Sequence, residues 1–318
     1  MSSARHPSVD DVAWVFFDFT FLRRFLLAKG TTFQNLFGSI MQKAHGADFC
    51  LSGPWGASGD LKCDGYLTTQ RMVFAAYAPK DFAKLSKATR KIVGDHAGAR
   101  KHWSTLMDRW TLVHNEMDGL PAPLLKVLLL LAAKYPAPIV AHWGCEELRA
   151  LLRPLTRDQL TDLFGKAPDR RSLSGVSQQD LKQVIDDLAA TIESFQSPAT
   201  EDLRAVPATK LAYNKLSNAV REFLALGRRH ASKVDAFFEK HPDPELAARV
   251  VEGFKSRYVQ LRQAAMTPDE IFSSLYEYAG GFDAAPRRAL AAVAVLAYLF
   301  EACHIFERPA TATGAPAS

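Results

Sequence analysis

Residues 59–67 have the sequence Gly-Asp-Leu-Lys-Cys-Asp-Gly-Tyr-Leu, and residues 72–77 have the sequence Met-Val-Phe-Ala-Ala-Tyr. Glycine and aspartate favour a tight turn, and the apolar residues that follow favour strands, so the two stretches predict a β-hairpin. Pro79 ends the second strand, because proline has no N–H for a ladder hydrogen bond. The hairpin therefore has two carboxylates, Asp60 and Asp64, at the start of its first strand.

The sequence around this hairpin predicts alternating helices and strands up to residue 152, and only helices after it. In chain order the periodicity predicts a helix over 16–27, a helix over 33–44, strands over 47–51, 64–68 and 72–78, a helix over 81–103, a strand over 110–114, a helix over 121–134, a strand over 139–143 and a helix over 146–152. Beyond residue 152 only helical periodicity continues, with capping patterns at Ser177 and Thr267. We therefore predict an α/β domain followed by an all-α domain.

The predicted organisation has five parts, which differ in composition and periodicity. They are an α/β domain (1–152), a helical connector (153–196), a linker (197–207), an α-helical coupling domain (208–308) and a disordered tail (309–318). The linker holds two prolines together with Ser, Thr, Glu and Asp, which is typical of a connecting segment.

Composition favours a folded protein of the cytoplasm. Hydrophobic residues make up 48% of the chain and charged residues 23%, which is enough for a sizeable core. The four cysteines are far apart and show no CxxC spacing, which disfavours a disulfide framework or a zinc site and favours a reducing compartment. His102, His114 and His142 lie on separate predicted elements, so their spacing indicates no metal site. We expect neither a signal peptide nor a membrane span, since no run reaches about 20 apolar residues.

The net charge of +5 is concentrated in one segment, because residues 80–109 hold 8 basic and 3 acidic residues. Its lysines recur at helical spacing, which places them on one helix face and favours contact with phosphates. A solvated helix face is the alternative interpretation. The predicted DNA-binding residues are Lys80, Lys84, Lys87, Arg90 and Lys91.

The hairpin carboxylates have the chemistry of a divalent-cation site. Mg²⁺ prefers oxygen ligands and keeps several waters, so one or two carboxylates at a strand end are sufficient. Asp64 suits the ligand role, and Asp60 either is a second ligand or caps its own turn. Gln34, on the preceding helix, is placed to reach a metal-bound water. A purely local hydrogen-bonding role is the alternative for each of them.

The order of motifs resembles a known family. The motifs are Phe33-Gln34, Gly59-Asp60 with Asp64-Gly65-Tyr66-Leu67, Val73-Phe74 with Tyr77-Ala78-Pro79, residues 110–115 with Gly119-Leu120-Pro121, residues 241–245, residues 268–272 and residues 297–307. They are similar to the restriction-endonuclease-like domain of the PD-(D/E)xK superfamily, near the Mrr type, and to proteins of bacterial ABC three-component conflict systems. The resemblance implies a nuclease fold with Mg²⁺ or Mn²⁺, in which Asp64 matches the metal-binding acid and Gln34 matches the helix acid or amide.

The third strand departs from the family pattern of Glu or Gln, any residue, then Lys. This chain has Ala75-Ala76-Tyr77 there, so the active site looks degenerate. Lys62 and Lys80 are the candidate substitutes, since both lie within a few residues of the hairpin. Losing one transition-state donor costs about 3–4 kcal/mol. The predicted catalytic residues are Asp64, Asp60, Gln34, Lys62 and Lys80, with Asp64 and Asp60 as metal ligands.

Three functions stay open from the sequence. The first is a DNA-binding effector of an anti-phage or anti-plasmid defence system that cleaves double-stranded DNA. The second is a catalytically inactive DNA-sensing or scaffold subunit that docks on an ATPase. The third is a structural adaptor whose basic helix meets an acidic protein surface. The resemblance implies that the helical half docks on an SMC-like or AAA-type ATPase subunit, and a homo-oligomer is left open.

Overall fold

The computed structural model of the chain forms two compact units, one α/β and one helical. The residues that it describes are 9–53, 60–79, 85–191, 209–302 and 305–307. Among them, unit 1 comprises residues from 24 to 163, and unit 2 comprises residues 9–23 and those from 164 onward. The predicted succession of an α/β part and a helical part is confirmed. No helix within the described ranges is both long and apolar enough to span a membrane.

Unit 1 is built around one five-stranded sheet. Its elements are the end of α1 (Asp11–Leu27), α2 (Thr31–His45), β1 (Phe49–Leu51), β2 (Gly65–Leu67), β3 (Met72–Tyr77), α3 (Leu85–Trp103), β4 (Arg109–His114), α4 (Ala122–Lys134), β5 (Ile139–Trp143), α5 (Cys145–Leu152) and most of α6 (Arg157–Phe164). The strands lie in chain order; β1, β2 and β3 are antiparallel, and β4 and β5 continue parallel to β3. Helix α3 is the crossover that a parallel β3–β4 pair requires.

The side chains of strand β3 contact helices on both faces of the sheet, because successive side chains of a strand point to opposite faces. Val73 and Ala75 belong to a buried cluster with residues of α3 and α4. Phe74 points to the other face, where its ring lies 5.3 Å from that of Phe37 on α2. All three residues are at most 3% exposed, which explains why β3 is apolar on both faces.

Unit 2 is formed by helices packed around α14. They are α7 (Arg170–Ser174), α8 (Gln178–Ala190), α9 (Thr209–Tyr213), α10 (Asn218–Arg228), α11 (Ala231–Lys240), α12 (Leu246–Gln263), α13 (Pro268–Tyr278) and α14 (Pro286–Glu301), together with the first part of α1. The predicted capping boxes at Ser177 and Thr267 are present at the starts of α8 and α13. Residues 289–297 of α14 are all buried, and their small alanine side chains allow neighbouring helices to approach closely.

The units do not coincide with the limits predicted from the sequence. Helix α1 falls whole within the first predicted domain, whereas its residues 11–23 lie in unit 2, where the Phe19 ring stacks 4.1 Å from that of Phe223. Helical periodicity identifies an apolar face but not the distant helix that covers it. Unit 1 also continues past residue 152 to residue 163. The predicted linker (197–207) and tail (309–318) lie outside the described residues.

Candidate functional site

The Asp64 carboxylate is fixed between a helix and a strand. Its Oδ1 accepts a hydrogen bond from Gln34 Nε2 of α2 at 2.8 Å, and its Oδ2 accepts one from the backbone N–H of Ala76 on β3 at 2.7 Å. The Asp64 N–H in turn donates to the carbonyl of Phe74 at 2.8 Å. Because β2 begins at Gly65, the Asp64 side chain extends the contact with β3 beyond the strand itself. The structure thus brings Asp64 and Gln34 together.

The surroundings of Asp64 disfavour its negative charge. The pKa of Asp64 is raised to about 6, chiefly by burial and also by the nearby carboxylates of Asp60 and Asp95, while the Ala76 N–H and Lys91 act in the opposite direction. A half-buried carboxylate with two acidic neighbours is stabilised when a cation joins it. Perturbed carboxylates of this kind are concentrated at functional sites.

The turn before Asp64 is held in a strained conformation. Asp60 Oδ1 accepts a hydrogen bond from the backbone N–H of Lys62 at 2.9 Å, so Asp60 caps its own turn in this structure. Leu61 and Lys62 have φ angles of 52° and 64°, a left-handed region that residues other than glycine rarely adopt. Trp103 Nε1 of α3 donates to the Leu61 carbonyl at 3.1 Å and fastens the turn to that helix. Strain of this kind recurs at binding and catalytic sites.

Helix α3 contributes a buried acid between two lysines. Asp95 is 4% exposed, and its carboxylate is paired with Lys91 Nζ of the same helix and, at 3.5 Å, with Lys62 Nζ of the turn. The lysine side chains are about half exposed, at 48% for Lys91 and 47% for Lys62. We call Lys62, Lys91 and Asp95 the α3 cluster. It lies close enough to Asp64 for Lys91 and Asp95 to act on the pKa of that carboxyl.

Asp95 is the site residue that the sequence analysis missed. It is the only acidic residue of α3, and it follows Lys91 by one helical turn, the spacing of an ion pair. That pattern is present in the sequence, but the recurring lysines of the same segment favoured the interpretation of a basic, phosphate-binding face. The sequence alone does not show that the turn holding Lys62 lies against this helix.

Strand β3 offers no charged side chain to the site. Ala75 and Ala76 are buried, and Tyr77 follows them at the strand end. Burial raises the pKa of Tyr77, and the charge of Asp95 adds to the effect, so Tyr77 and the α3 cluster lie near each other. Ala75 and Tyr77 point to the same face as Val73, which is the face that α3 covers.

The structure describes three of the five predicted DNA-binding residues. Lys80 and Lys84 lie outside the described residues, so their predicted roles stay predictions. Lys87, Arg90 and Lys91 are exposed on α3. The first two turns of α3 thus present three cations to solvent. Of these, Lys91 lies close enough to Asp64 to act on the pKa of its carboxyl.

The donor atoms at Asp64 suit a hard divalent cation that keeps most of its water. Across the described ranges, no group of three or more His, Cys, Asp or Glu side chains is arranged to hold a metal ion. Asp64 and Asp60 would therefore supply at most two carboxylates, which is how Mg²⁺ is commonly bound. The raised pKa of Asp64 indicates a place where added positive charge is favourable.

A second polar group lies where β4 and β5 run side by side. His114 Nε2 and His142 Nδ1 are 3.4 Å apart, although spacing had placed the two residues on unrelated elements. The pKa of His114 is lowered to about 4, chiefly by burial and also by the neighbouring His142, so the His114 ring is neutral at pH 7. The His114 ring also accepts a hydrogen bond from the Glu116 N–H at 3.3 Å. These contacts are those of a structural pair.

Comparison with known proteins gives one match, and it lies in unit 2. Residues 179–307 match the family model of C-terminal domain 10 of the ABC-three component systems. We call this stretch the CTD10 region. It spans α8 to α14 and supports the context of an ABC-three component system that the sequence resemblance implied. Comparisons with curated proteins and with solved structures found no match.

Proposed function

We propose that this protein is the DNA-acting component of a bacterial ABC-three component defence system. In this proposal unit 1 is a restriction-endonuclease-like domain that cleaves phosphodiester bonds with Mg²⁺ or Mn²⁺. The observation that carries the proposal is the Asp64 carboxylate, oriented by Gln34 and the Ala76 N–H, with the α3 cluster beside it. The order of a helix, three antiparallel strands, a helix and a parallel strand also fits the family that the sequence resembles.

Each group at the site has a distinct task in this reaction. Asp64 would hold the cation, with Asp60 as its neighbour, and Gln34 keeps the Asp64 carboxylate in one orientation through its hydrogen bond. A bound Mg²⁺ or Mn²⁺ would polarise the phosphoryl group and lower the pKa of the attacking water. The ammonium groups of Lys62 and Lys91 would stabilise the negative charge that develops on the phosphate oxygens.

The exposed cations of α3 support binding of DNA at this site. Lys87, Arg90 and Lys91 present positive charge to solvent on the helix that also carries Asp95. Cations of this kind bind phosphates without reading the base sequence. They would bring the backbone of double-stranded DNA to the carboxylate that holds the cation.

The CTD10 region supports a role in assembly with other components of the same system. We propose that unit 2 docks on a partner of that system, and that this partner is an ATPase subunit. Its ATP hydrolysis would then control when unit 1 reaches DNA. Copurification of the full chain with the products of its neighbouring genes would identify the partner.

Cleavage of DNA by the full chain tests the proposed activity. Supercoiled plasmid is incubated with wild type and with Asp64→Asn, in Mg²⁺, in Mn²⁺ and in EDTA. We expect nicking or linearisation only with a divalent cation, and a rate on the order of 10² lower for Asp64→Asn, because the oriented ligand is lost. Asp118→Asn is the control, since it removes one carboxylate from an exposed loop position of unit 1. Equal rates for all three proteins would contradict the proposal.

The apolar third strand favours a second candidate, a catalytically inactive DNA-sensing or scaffold subunit. Ala75 and Ala76 are at most 7% exposed and offer no acid or lysine from β3. This candidate predicts that the full chain binds duplex DNA in EDTA at low salt but leaves plasmid intact with every cation. Plasmid cleavage that depends on Asp64 would exclude it.

A further inference from the structure

The burial of the Asp95 carboxylate is unfavourable in free energy, which indicates that this residue has a specific role. Placing a carboxylate in a weakly polar environment costs several kcal/mol unless close partners compensate it. Asp95 is 4% exposed, and its partners Lys62 and Lys91 approach it from the solvent side with about half of each side chain exposed. Because solvent screens the charges of the half-exposed lysines, they offset only part of the cost of burying the carboxylate.

The structure around Asp95 directs both lysines to one place. Lys62 comes from the strained turn, and its stem crosses α3 at Gly98, where an added β-carbon would lie 2.5 Å from Lys62 Cγ. The absence of a side chain at position 98 therefore gives Lys62 its route to Asp95. Lys91 reaches the same carboxylate from one helical turn earlier. Two ammonium groups on separate elements thus share a single buried acid.

The α3 cluster also lies where strand β3 lacks charge. Ala75 and Tyr77 point to the face of the sheet that α3 covers, and neither carries a charge at neutral pH. The charge of Asp95 raises the pKa of both Tyr77 and Asp64, so the cluster lies near the end of β3 and near the residue that precedes β2.

We propose that Asp95 is a positioning residue that holds the ammonium groups of Lys62 and Lys91 beside Asp64, so that the α3 cluster supplies the charged groups missing from strand β3. Asp95 has this role only if Asp64 is the centre of a phosphodiester-cleaving site, as proposed above. Asp95 itself touches neither the phosphate nor the cation in this account; it acts through the two lysines.

Lysine labelling tests the positioning without any measurement of cleavage. The full-length wild type and Asp95→Asn are treated with a limiting amount of acetic anhydride, and acetylation is quantified residue by residue by mass spectrometry. We expect acetylation of Lys62 and Lys91 to rise severalfold in Asp95→Asn, because both amines lose the carboxylate that they contact and become more accessible to the reagent. Lys87, one turn before Lys91 on the same helix, is the internal control and should be unchanged. Unchanged acetylation at all three lysines would overturn the inference.

Plasmid cleavage kinetics test whether that positioning matters for the reaction. We expect Asp95→Asn to lower kcat by about 10–100-fold, the range for residues that orient groups at a site, with KM for DNA unchanged or lower. Lys62→Ala and Lys91→Ala should also lower kcat, and each should add little in the Asp95→Asn background. Asp95→Glu, which restores the charge, should recover part of the lost rate.

The two experiments separate failure of this inference from failure of the proposed function. If wild type cleaves and Asp95→Asn cleaves equally well, the positioning role is wrong and the proposed activity stands. If labelling changes as expected but wild type cleaves nothing, the proposed activity is wrong, and Asp95 only anchors the lysines. If Asp95→Asn does not fold, the single lysine variants and Asp95→Glu provide the same kinetic comparison, and full activity in all of them would overturn the inference.

Discussion

In the absence of divalent cations, the Asp64→Asn variant is expected to be more stable than wild type at pH 7.5. Burial raises the pKa of Asp64 from 3.8 to about 6, so the folded protein at neutral pH carries a carboxylate whose charge it disfavours. At about 1.36 kcal/mol for each pKa unit the penalty is at most about 3 kcal/mol. Screening at this half-buried position reduces the expected gain in free energy of unfolding to about 1–2 kcal/mol.

The substitution preserves the hydrogen bonds that hold residue 64. Asn can still accept from the Ala76 N–H through its carbonyl oxygen. The Gln34 amide can rotate to present its Oε1 to the Asn NH₂ group, because an amide offers both a donor and an acceptor. The change therefore removes the charge with little loss of contacts. A functional residue that lowers stability in this way is common at sites built to bind something else.

The pH dependence of this effect has a definite sign. The folded pKa lies above the unfolded value, so the folded state binds the proton more tightly between pH 3.8 and about pH 6. Protonation stabilises wild type as the pH falls through that window, whereas Asn cannot be protonated. Urea unfolding of both proteins in EDTA at pH 7.5, 6 and 4.5 should show the advantage of Asp64→Asn shrinking as the pH falls. A variant less stable than wild type at pH 7.5 would contradict the assigned environment.

Replacing Gly227 with Ala is expected to destabilise unit 2 strongly. A β-carbon added at this position of α10 would lie 2.2 Å from the Val293 carbonyl oxygen and 2.7 Å from its carbonyl carbon, both backbone atoms of α14. Backbone cannot move aside as the end of a side chain can, so the two helices must separate. Overpacking of a core typically costs about 1–3 kcal/mol. Because two buried helices must separate here, we expect the free energy of unfolding to fall by about 3 kcal/mol or more.

A substitution on the exposed side of the same helix serves as the control. Ala225 is exposed on α10, and Ala225→Gly should cost only about 1 kcal/mol through helix propensity. Propensity alone predicts the opposite order, because Gly→Ala normally stabilises a helix. Thermal unfolding of both variants followed by circular dichroism decides between these expectations. A Gly227→Ala protein that melts at or above the wild-type temperature would show that α10 and α14 do not pack as described.

Much of unit 1 follows from the sequence, because its elements have strong local signals. Strand β3 was expected over residues 72–78 and is present over Met72–Tyr77, since its apolar residues and the following proline leave few alternatives. Helix α2 was expected over residues 33–44 and spans Thr31–His45. The short helices α7 and α9 were not predicted, because five residues are too few to show a helical period.

Part of the candidate site could be predicted from the sequence, and the part that could not depends on long-range contacts. Asp64 and Gln34 were chosen from strand and helix positions, and the structure places them in direct hydrogen-bonding contact. Asp95 was missed because its role depends on a long-range contact between α3 and the turn that contains Lys62. The packing of α1 in unit 2 could not be predicted for the same reason, since Phe19 stacks on Phe223, a residue more than 150 positions away in the chain.

We propose that Asp64 is the main ligand of a divalent-cation site in unit 1, and isothermal titration of Mn²⁺ into the full chain, at pH 7.5 and without DNA, is the direct test. We expect one saturable Mn²⁺ site in wild type and in Asp118→Asn. In Asp64→Asn we expect loss of this site or a weakening of at least about tenfold, because a hard cation loses its charged oxygen ligand. Binding of Mn²⁺ to Asp64→Asn with the affinity and stoichiometry of wild type, or the absence of any Mn²⁺ site in wild type, would show that Asp64 does not hold the cation.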